Sequence, residues 1–571
     1  MAKYDARVGR AQHPIGRRAR AARRAWFATA IVGASILVVA ALGDNAGGST
    51  LAKPTAPEAM AATCSSTVDA KAFASARELR ALTAKLAGFG LRSPGSTEHQ
   101  RELAWLEREL RAIPGMKVRS DTYTIDRWQP LPEAPGKTPG RDLARAGGLR
   151  VGTGSSTKVV PVSGAVPFTL PTSPQGRSGE LAYIPNGEAI TAANAKGKVV
   201  VREVPPTSTP YGVFPAIAHY IAPGFPSSGN YERPYASPLD PTLIDAGKAG
   251  AAGVVFLWDV PTAQVRGYWD PHTGTRFHVP AVYAGSDQAA TIKRLAAQHR
   301  RAHVVVRAKW DTATTRSLFG TLTGQSRERI VVNSHTDGVT WVQENGPVGV
   351  LALARYLGGL PRECRNRDVE FALTSEHLGF TNDGTFRYAK QLDRDFDQGT
   401  VAFVLSMEHL GAREILPTGS DHRLRFTGRG EPIVWSAPEE SPPLVRASVD
   451  AVARRHLDNT AVLRGTEAPV ADRVPQYCAQ GGLGGNFNAH LLPTASAITG
   501  PWSLWAPSFG EAAVDFGRMR REVLAVSDVA RALDQVPRTD IAGAYIAERQ
   551  RRAEGAQTCA ILTPPPAVAP R

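Results

Sequence analysis

Three short groups of acidic and imidazole residues follow directly on apolar, strand-like runs, and their types and order predict a metallohydrolase. Loops at the carboxyl ends of parallel strands converge over one crevice, so we expect the three groups to meet there. Histidine and carboxylate side chains from several strand ends can bind a borderline cation such as zinc. The groups are His335-Thr336-Asp337 after the run 330–334, Glu376-His377 after 369–374 and Glu408-His409 after 401–405.

The first group and the loop after it supply a ligand, an orienting acid and a further carboxylate. His335 is expected to bind the metal through one ring nitrogen, and Asp337 to accept the other ring N–H, which fixes the tautomer. Side chains two residues apart on a strand point the same way, so the His-x-Asp spacing suits this pair. Glu344, just before Asn345-Gly346-Pro347, offers a carboxylate from the adjoining loop.

The second and third groups add the remaining chemistry. Glu376 and His377 are neighbours and project differently from an extended chain, so one can hold the metal while the other faces the substrate water. Glu408 offers another carboxylate from the third strand end, whereas we expect His409 to be structural.

The elements that must position these groups alternate between strands and helices. Residues 316–537 are predicted to run strand, helix (347–357), strand, helix (385–392) and strand, and residues 70–113 form two helices, the second with Ser96 as its N-cap. The predicted fold class is therefore α/β, with a mixed, mostly parallel sheet flanked by helices.

Residues 150–312 have a different sequence pattern, with many short strand-like runs, several prolines and few predicted long helices. Gly-Lys-Val-Val at 197–200 indicates a turn into a strand, and Ala-Gly-Ala-Ala-Gly-Val-Val at 249–255 indicates a small-residue helix feeding a buried strand. The region resembles a protease-associated domain, in which these two features occur in the same order; the alternative is another small α/β insert. We therefore predict a small β-rich insert between 64–149 and 313–537, which together form the main domain.

The order of the chemical groups resembles the co-catalytic zinc aminopeptidase family, which includes glutamate carboxypeptidase II, glutaminyl cyclase and the transferrin receptor. That family has a His-x-Asp motif, a bridging Asp-Asn, a Glu-Glu pair, an Asp after an apolar strand and a final His. It often carries an inserted protease-associated domain. The resemblance spans 64–537, most firmly 329–411, and implies a zinc exopeptidase-like fold.

The resemblance also implies a role for each matching residue. His335 matches the first zinc ligand, and Asp337 matches the acid that orients it. Glu344 stands approximately where the bridging carboxylate is expected, and Glu376 matches the general base.

The chain departs from the family pattern at the remaining positions. His377 stands where a second Glu binds metal, and Glu408 stands where a ligand Asp is expected. Gly484 occupies the position of the final His, although His490, six residues later, is a possible substitute. One zinc ion, two, or none is therefore compatible with this ligand set.

The predicted function is that of a metal-dependent exopeptidase of the aminopeptidase type, which hydrolyses peptides outside the cytoplasm. Two alternatives stay open: a catalytically inactive binding or scaffold protein on the same fold, and a glutaminyl-cyclase-like acyltransferase. The sequence does not indicate an oligomeric state.

The net charge of +15 is concentrated at the start of the chain, since residues 1–24 alone carry eight basic residues against one acid. No dense basic stripe with aromatics occurs elsewhere, which excludes nucleic acid as the expected partner. The uncharged run 25–43 predicts a membrane anchor with a cytoplasmic N-terminus, or else a cleaved secretory signal. The expected location is the cell membrane, with secretion as the alternative. Residues 44–63 are predicted to be a linker, and residues 538–571 a disordered tail.

The four cysteines fit an oxidising compartment and allow three pairings. We favour Cys64 with Cys559, which flank the globular region, and Cys364 with Cys478 inside it. No pair has Cys-x-x-Cys spacing, so a zinc site built from cysteines is not expected.

Overall fold

The strand Ser326–His335, which delivers the first chemical group, lies inside a nine-stranded sheet and is fully buried over its last six residues. The computed structural model describes residues 64–131, 143–204, 207–233, 239–271, 275–381, 383–464 and 480–555. Apolar side chains on both faces of this strand fit a sheet that is covered by helices on both sides.

The nine-stranded sheet, called the large sheet below, is mixed. Its four central strands run parallel, whereas the pairs at its outer parts are mostly antiparallel. The strands, in spatial order, are Met116–Pro130, Ala308–Leu322, Arg367–Thr374, Ser326–His335, Val401–Met407, Thr494–Ile498, Ile433–Ser436, Thr460–Leu463 and Ala218–Ile221.

Helices flank the large sheet and bury their apolar faces against it. The helix Gly346–Gly358 follows the first chemical group and buries ten of its thirteen residues. Ser96 is the N-cap of the helix Thr97–Arg111 and accepts a hydrogen bond from the backbone of His99, as the sequence predicts. Asp240–Lys248 and Ser286–Ala297 pack instead against the second sheet described below. The remaining helices of the described residues are Ala76–Ala87, Ala192–Ala195, Phe214–Ile217, Asp383–Asp397, Pro442–Arg454, Gly484–Ala489, Phe516–Leu533 and Arg538–Ala553.

A second, eight-stranded sheet is built almost entirely from the region predicted to be an insert. In spatial order its strands are Lys158–Val160, Gly147–Val151, Arg301–Val306, Arg177–Tyr183, Val199–Val204, Gly253–Trp258, Ala281–Ala284 and Gly164–Ala165. One segment of the same region belongs elsewhere, because Ala218–Ile221 pairs with Thr460–Leu463 at the edge of the large sheet.

Smaller elements lie outside the two sheets. Two strand pairs stand apart from them, Arg413–Thr418 with Arg423–Gly430 and Thr207–Pro210 with Asn230–Arg233. The 3-10 helices are Leu143–Ala146, Gly154–Ser156, Tyr211–Val213, Arg362–Cys364, Trp502–Leu504 and Pro507–Ala513. The predicted α/β class with a mixed, helix-flanked sheet is confirmed.

The predicted location at the cell membrane needs correction. In the part of the chain that the structure describes, no helix combines the length and the apolar character needed to cross a membrane. The predicted segments 1–24, 25–43 and 44–63 lie outside the described residues.

Two further expectations differ from the structure. Cys64 forms a disulfide with Cys364 across 300 residues of sequence, so the favoured partners of both cysteines were wrong. Cys478 and Cys559 lie outside the described residues. The segment 538–571 was expected to be disordered, but it begins with the helix Arg538–Ala553, because Ile541, Ala542 and Tyr545 are buried in the core.

Candidate metal centre

Four buried side chains converge where the central strands of the large sheet end. His335, Glu344, Glu408 and His409, called the metal cluster below, each offer one ligand atom, and these four atoms all lie within 4.8 Å of one another. His335 is the last residue of its strand, and Glu408 and His409 follow the strand Val401–Met407. Because these two strands are parallel neighbours, their ends bring the three residues to one edge.

The spacing inside the metal cluster suits a tetrahedral metal ion. His335 Nε2 lies 3.5 Å from Glu344 Oε2 and 3.7 Å from Glu408 Oε2, and His409 Nε2 lies 3.2 Å from Glu344 Oε2. Zinc binds nitrogen and oxygen ligands at about 2.1 Å, which places neighbouring ligand atoms of a tetrahedron about 3.4 Å apart. Two imidazoles and two carboxylates are also ligands that zinc accepts.

Each carboxylate of the metal cluster directs one oxygen to the protein and the other to the cluster. Glu344 Oε1 accepts hydrogen bonds from the backbone N–H of Gly346 at 2.5 Å and of His409 at 3.2 Å. Glu408 Oε1 accepts one from the N–H of Leu483 at 2.7 Å. Burial and the neighbouring charge of Glu408 raise the pKa of Glu344 well above its usual range. A cation between the two carboxylates would remove this repulsion.

Asp337 is placed to orient His335. Its Oδ1 lies 3.5 Å from Nδ1 of His335, which leaves Nε2 of that ring on the side of the metal cluster. The same carboxylate accepts hydrogen bonds from the backbone N–H groups of His377 and Leu378. Asp337 therefore connects the first chemical group with the turn that carries the second.

Glu376 lies at the start of that turn in a left-handed backbone conformation, with φ at 67°. For a residue with a side chain this conformation is unusual, and such outliers are concentrated at functional sites. Its Oε1 accepts hydrogen bonds from the hydroxyl of Thr381 at 2.6 Å and from its N–H at 3.2 Å. Gly379 is packed so closely that an added Cβ would lie 1.9 Å from Cγ of Glu376. The fold thus fixes the position of this buried carboxylate.

The metal cluster contains three of the four predicted metal ligands, with His409 in place of His377. His409, expected to be structural, belongs to the cluster. The signal that could have found it is the repeated Glu-His pair at two strand ends. His377 is not among the four clustered residues; its ring is partly exposed and lies 4.4 Å from that of His335.

The structure does not bring the proposed substitute ligand to the site. Nδ1 of His490 lies 3.3 Å from Oδ2 of Asp393, and the ring lies beside Phe386. Gly484, which stands where the family has its final His, begins a short buried helix against Ser496. His490 is likewise absent from the metal cluster.

A buried polar layer supports the loop that carries Glu344. Arg92 donates hydrogen bonds to the backbone oxygens of Gln343 and Glu344 at 3.0 and 3.3 Å. Its Nε lies 3.2 Å from Glu102, and both side chains are completely buried. Nearby, His99 Nε2 lies 2.8 Å from the hydroxyl of Thr336. Burial lowers the pKa of His99 to about 4, so its ring is neutral around pH 7.

Comparisons with known proteins give matches to solved structures alone. No protein-family model matches the chain, and no curated protein does either. A zinc aminopeptidase from Bacillus subtilis is 15% identical with a TM-score of 0.53, and the match covers 82% of this chain and 97% of that one. A peptidase M28 precursor from Shewanella amazonensis is also 15% identical with a TM-score of 0.53, covering 81% and 97%. A glutaminyl cyclase from Fimbriiglobus ruber is 8% identical with a TM-score of 0.36, and the match covers 80% of this chain and 95% of that one.

The first two matches extend over 97% of each of the two solved chains. At this identity they show a shared fold, and the zinc exopeptidase-like fold implied by the sequence resemblance is thereby confirmed. The activity of the chain has to be argued from its own residues.

Proposed function

We propose that this protein is a metal-dependent exopeptidase of the aminopeptidase type, with one zinc ion held by His335, Glu344 and Glu408. The observation that carries the proposal is the approach of these three ligand atoms at separations of 3.5 and 3.7 Å, which fit tetrahedral zinc. When bound, zinc would polarise the carbonyl group of the peptide bond to be cleaved.

Glu376 is the proposed general base and acid. It would take a proton from the attacking water and then deliver it to the amine that leaves. The contacts of Thr381 and Gly379 hold its carboxylate in one position, so little reorganisation is needed at the moment of reaction. In this scheme Asp337 orients His335 and anchors the turn of Glu376.

A single ion fits this chain better than two. A bridging carboxylate needs both oxygens for metal, but Glu344 Oε1 already accepts two backbone hydrogen bonds. His490, the possible substitute for the last ligand of a second ion, is paired with Asp393.

The burial of the site favours a second candidate function, that of a binding or scaffold protein in which metal only stabilises the fold. His335, Glu344 and Glu376 have no exposed surface, and Glu408 is 2% exposed. Metal content alone does not separate the two candidates, whereas hydrolysis of peptides does.

The test uses the purified full chain, loaded with zinc and dialysed against metal-free buffer. We expect about one zinc ion per chain and hydrolysis of chromogenic aminoacyl substrates. Glu376→Gln should lower kcat by about 100-fold to 10,000-fold with zinc content unchanged. Glu511→Gln, at a surface ion pair with Arg80, is the matched control and should leave kcat unchanged.

Each outcome separates the candidates. Full activity in Glu376→Gln would show that the base is another group. One zinc ion without hydrolysis of any aminoacyl substrate would support the binding protein. A chain that retains no zinc would refute the metal-dependent mechanism.

A further inference from the structure

His409 approaches the metal cluster with one ring nitrogen and the backbone of a neighbouring strand with the other. Its Nδ1 lies 2.6 Å from the carbonyl oxygen of Thr499, and its Nε2 lies 3.2 Å from Glu344 Oε2. A carbonyl oxygen only accepts hydrogen bonds, so Nδ1 must carry a proton. In the neutral ring, Nε2 is therefore the nitrogen with the lone pair.

A lone pair and a carboxylate oxygen at 3.2 Å repel each other unless positive charge lies between them. Among the described residues, no group donates a hydrogen bond to Glu344 Oε2. One proton could remove the repulsion between a single pair of atoms. Here, however, four ligand atoms lie within 4.8 Å of one another. Two nitrogens and two oxygens around one point are the donor set of a metal ion.

We infer that His409 is the fourth protein ligand of the metal ion, beside His335, Glu344 and Glu408. The inference rests on the proposed function for the other three ligands. Four protein ligands complete a tetrahedral shell, whereas catalytic zinc sites commonly keep one position open. With His409 held in place, a substrate would therefore have to enter as a fifth ligand.

The backbone around His409 holds the ring in place. Its N–H donates to Glu344 Oε1, and its carbonyl oxygen accepts a hydrogen bond from the hydroxyl of Thr499 at 3.0 Å. The residue has φ at 59°, a left-handed conformation that favours glycine. His409→Gly is consequently a substitution that suits the backbone and removes the side chain with its ring.

The experiment compares zinc affinity in the full chain and in His409→Gly by competition with a chromogenic chelator. Loss of one ligand should weaken zinc binding by about 100-fold or more, and added imidazole should restore part of the affinity. The matched control is His456→Gly, since His456 also has a left-handed backbone, with φ at 50°, and an exposed side chain. It should bind zinc like the unmodified chain.

A second measurement needs no variant and so does not depend on the folding of His409→Gly. In the cobalt-loaded chain, each histidine bound to the metal through Nε2 gives one strongly shifted, exchangeable N–H proton resonance. Two such resonances are expected from His335 and His409, and one alone would refute the inference. Unchanged zinc affinity in His409→Gly would also refute the inference. If the unmodified chain binds zinc and hydrolyses peptides while His409→Gly keeps its affinity, this inference fails and the proposed function stands.

Discussion

Oδ1 of Asp337 lies 3.5 Å from Nδ1 of His335, and the same carboxylate accepts backbone hydrogen bonds from His377 and Leu378. One side chain thus orients a proposed metal ligand and fixes the turn that begins at the proposed base, Glu376. The three strand ends are not independent in this arrangement, and a change at Asp337 should affect both metal binding and catalysis.

Asp337→Asn keeps the shape of the side chain and removes its charge. The amide can no longer accept from the ring of His335 and from both backbone N–H groups at once. We expect zinc affinity to fall by about 10-fold to 100-fold, measured by competition with a chelator. Asp368→Asn, at a half-buried carboxylate that accepts from the backbone of Gly324, is the control. Equal affinities in Asp337→Asn and the unmodified chain would contradict the orienting role.

Gly379→Ala tests whether the position of Glu376 matters for catalysis. The added methyl group would lie 1.9 Å from Cγ of Glu376, so that side chain has to move. Moving the Glu376 carboxylate out of its position should lower kcat by about 100-fold, while the zinc content stays the same. Gly543→Ala, at a helix glycine with no atom near the new methyl group, should leave kcat unchanged. Unchanged kcat in Gly379→Ala would mean that Glu376 is not the base.

The fold class could be predicted because the strands that carry the chemistry are buried on both faces. Such strands appear in the sequence as short apolar runs, and their carboxyl ends indicate where His335 and Glu408 meet. The order of strands in the sheet is set by tertiary packing, which periodicity does not reveal. For the same reason the segment Ala218–Ile221 could not be assigned to the large sheet, since its partner Thr460–Leu463 lies far away in sequence.

The candidate site was harder to predict than the fold. The His-x-Asp spacing predicted that Asp337 lies beside His335, and the two side chains are 3.5 Å apart in the structure although the strand already ends at His335. After the strand ends, backbone direction depends on single torsion angles. His409 has a left-handed φ and its ring lies in the metal cluster; the repeated Glu-His pair could have drawn attention to this residue, but it does not indicate that backbone conformation. Disulfide partners could not be predicted from the sequence either, since Cys64 and Cys364 are brought together only by the folded core.

His99 predicts how stability depends on pH. Burial lowers its pKa to about 4 from a value of 6.5 in the unfolded chain, so the unfolded chain binds more protons between these two pH values. Stability should therefore fall as the pH drops from 6.5 to 4, with a contribution from this residue of about 3 kcal/mol. His99→Gln should reduce the pH dependence of the unfolding free energy in this range by that amount. Parallel pH profiles for the two proteins would exclude the assignment.

The disulfide between Cys64 and Cys364 closes a loop of 300 residues, which restricts the unfolded chain strongly. Replacing both cysteines by serine should lower the free energy of unfolding by about 2–5 kcal/mol, measured by chemical denaturation. Peptide mapping without reduction should recover Cys64 and Cys364 in one linked fragment. A fragment that links Cys64 to Cys559 would instead support the pairing favoured from the sequence.

Arg92 and Glu102 form a buried ion pair whose Nε and Oε2 atoms are 3.2 Å apart behind the loop of Glu344. Burial raises the pKa of Glu102 to about 8, so the pair is fully charged only above that pH. At alkaline pH, Arg92→Met should destabilise the fold by about 3–5 kcal/mol, because it leaves the carboxylate of Glu102 buried without its partner. The double variant Arg92→Met with Glu102→Leu removes both charges and should be more stable than the single variant.

Zinc affinity, unlike the free energy of unfolding, should not recover in the double variant. Both variants lack the guanidinium that donates to the backbone oxygens of Gln343 and Glu344, so the Glu344 loop is loosened in each. We therefore expect zinc affinity to be reduced similarly in the two variants, even though their unfolding free energies differ. Arg111→Met, which removes an exposed pair with Glu107, should cost less than about 1 kcal/mol and leave zinc binding unchanged. Recovery of zinc affinity in the double variant would show that Arg92 acts on the site through its charge balance with Glu102, and that the hydrogen bonds to the loop contribute little.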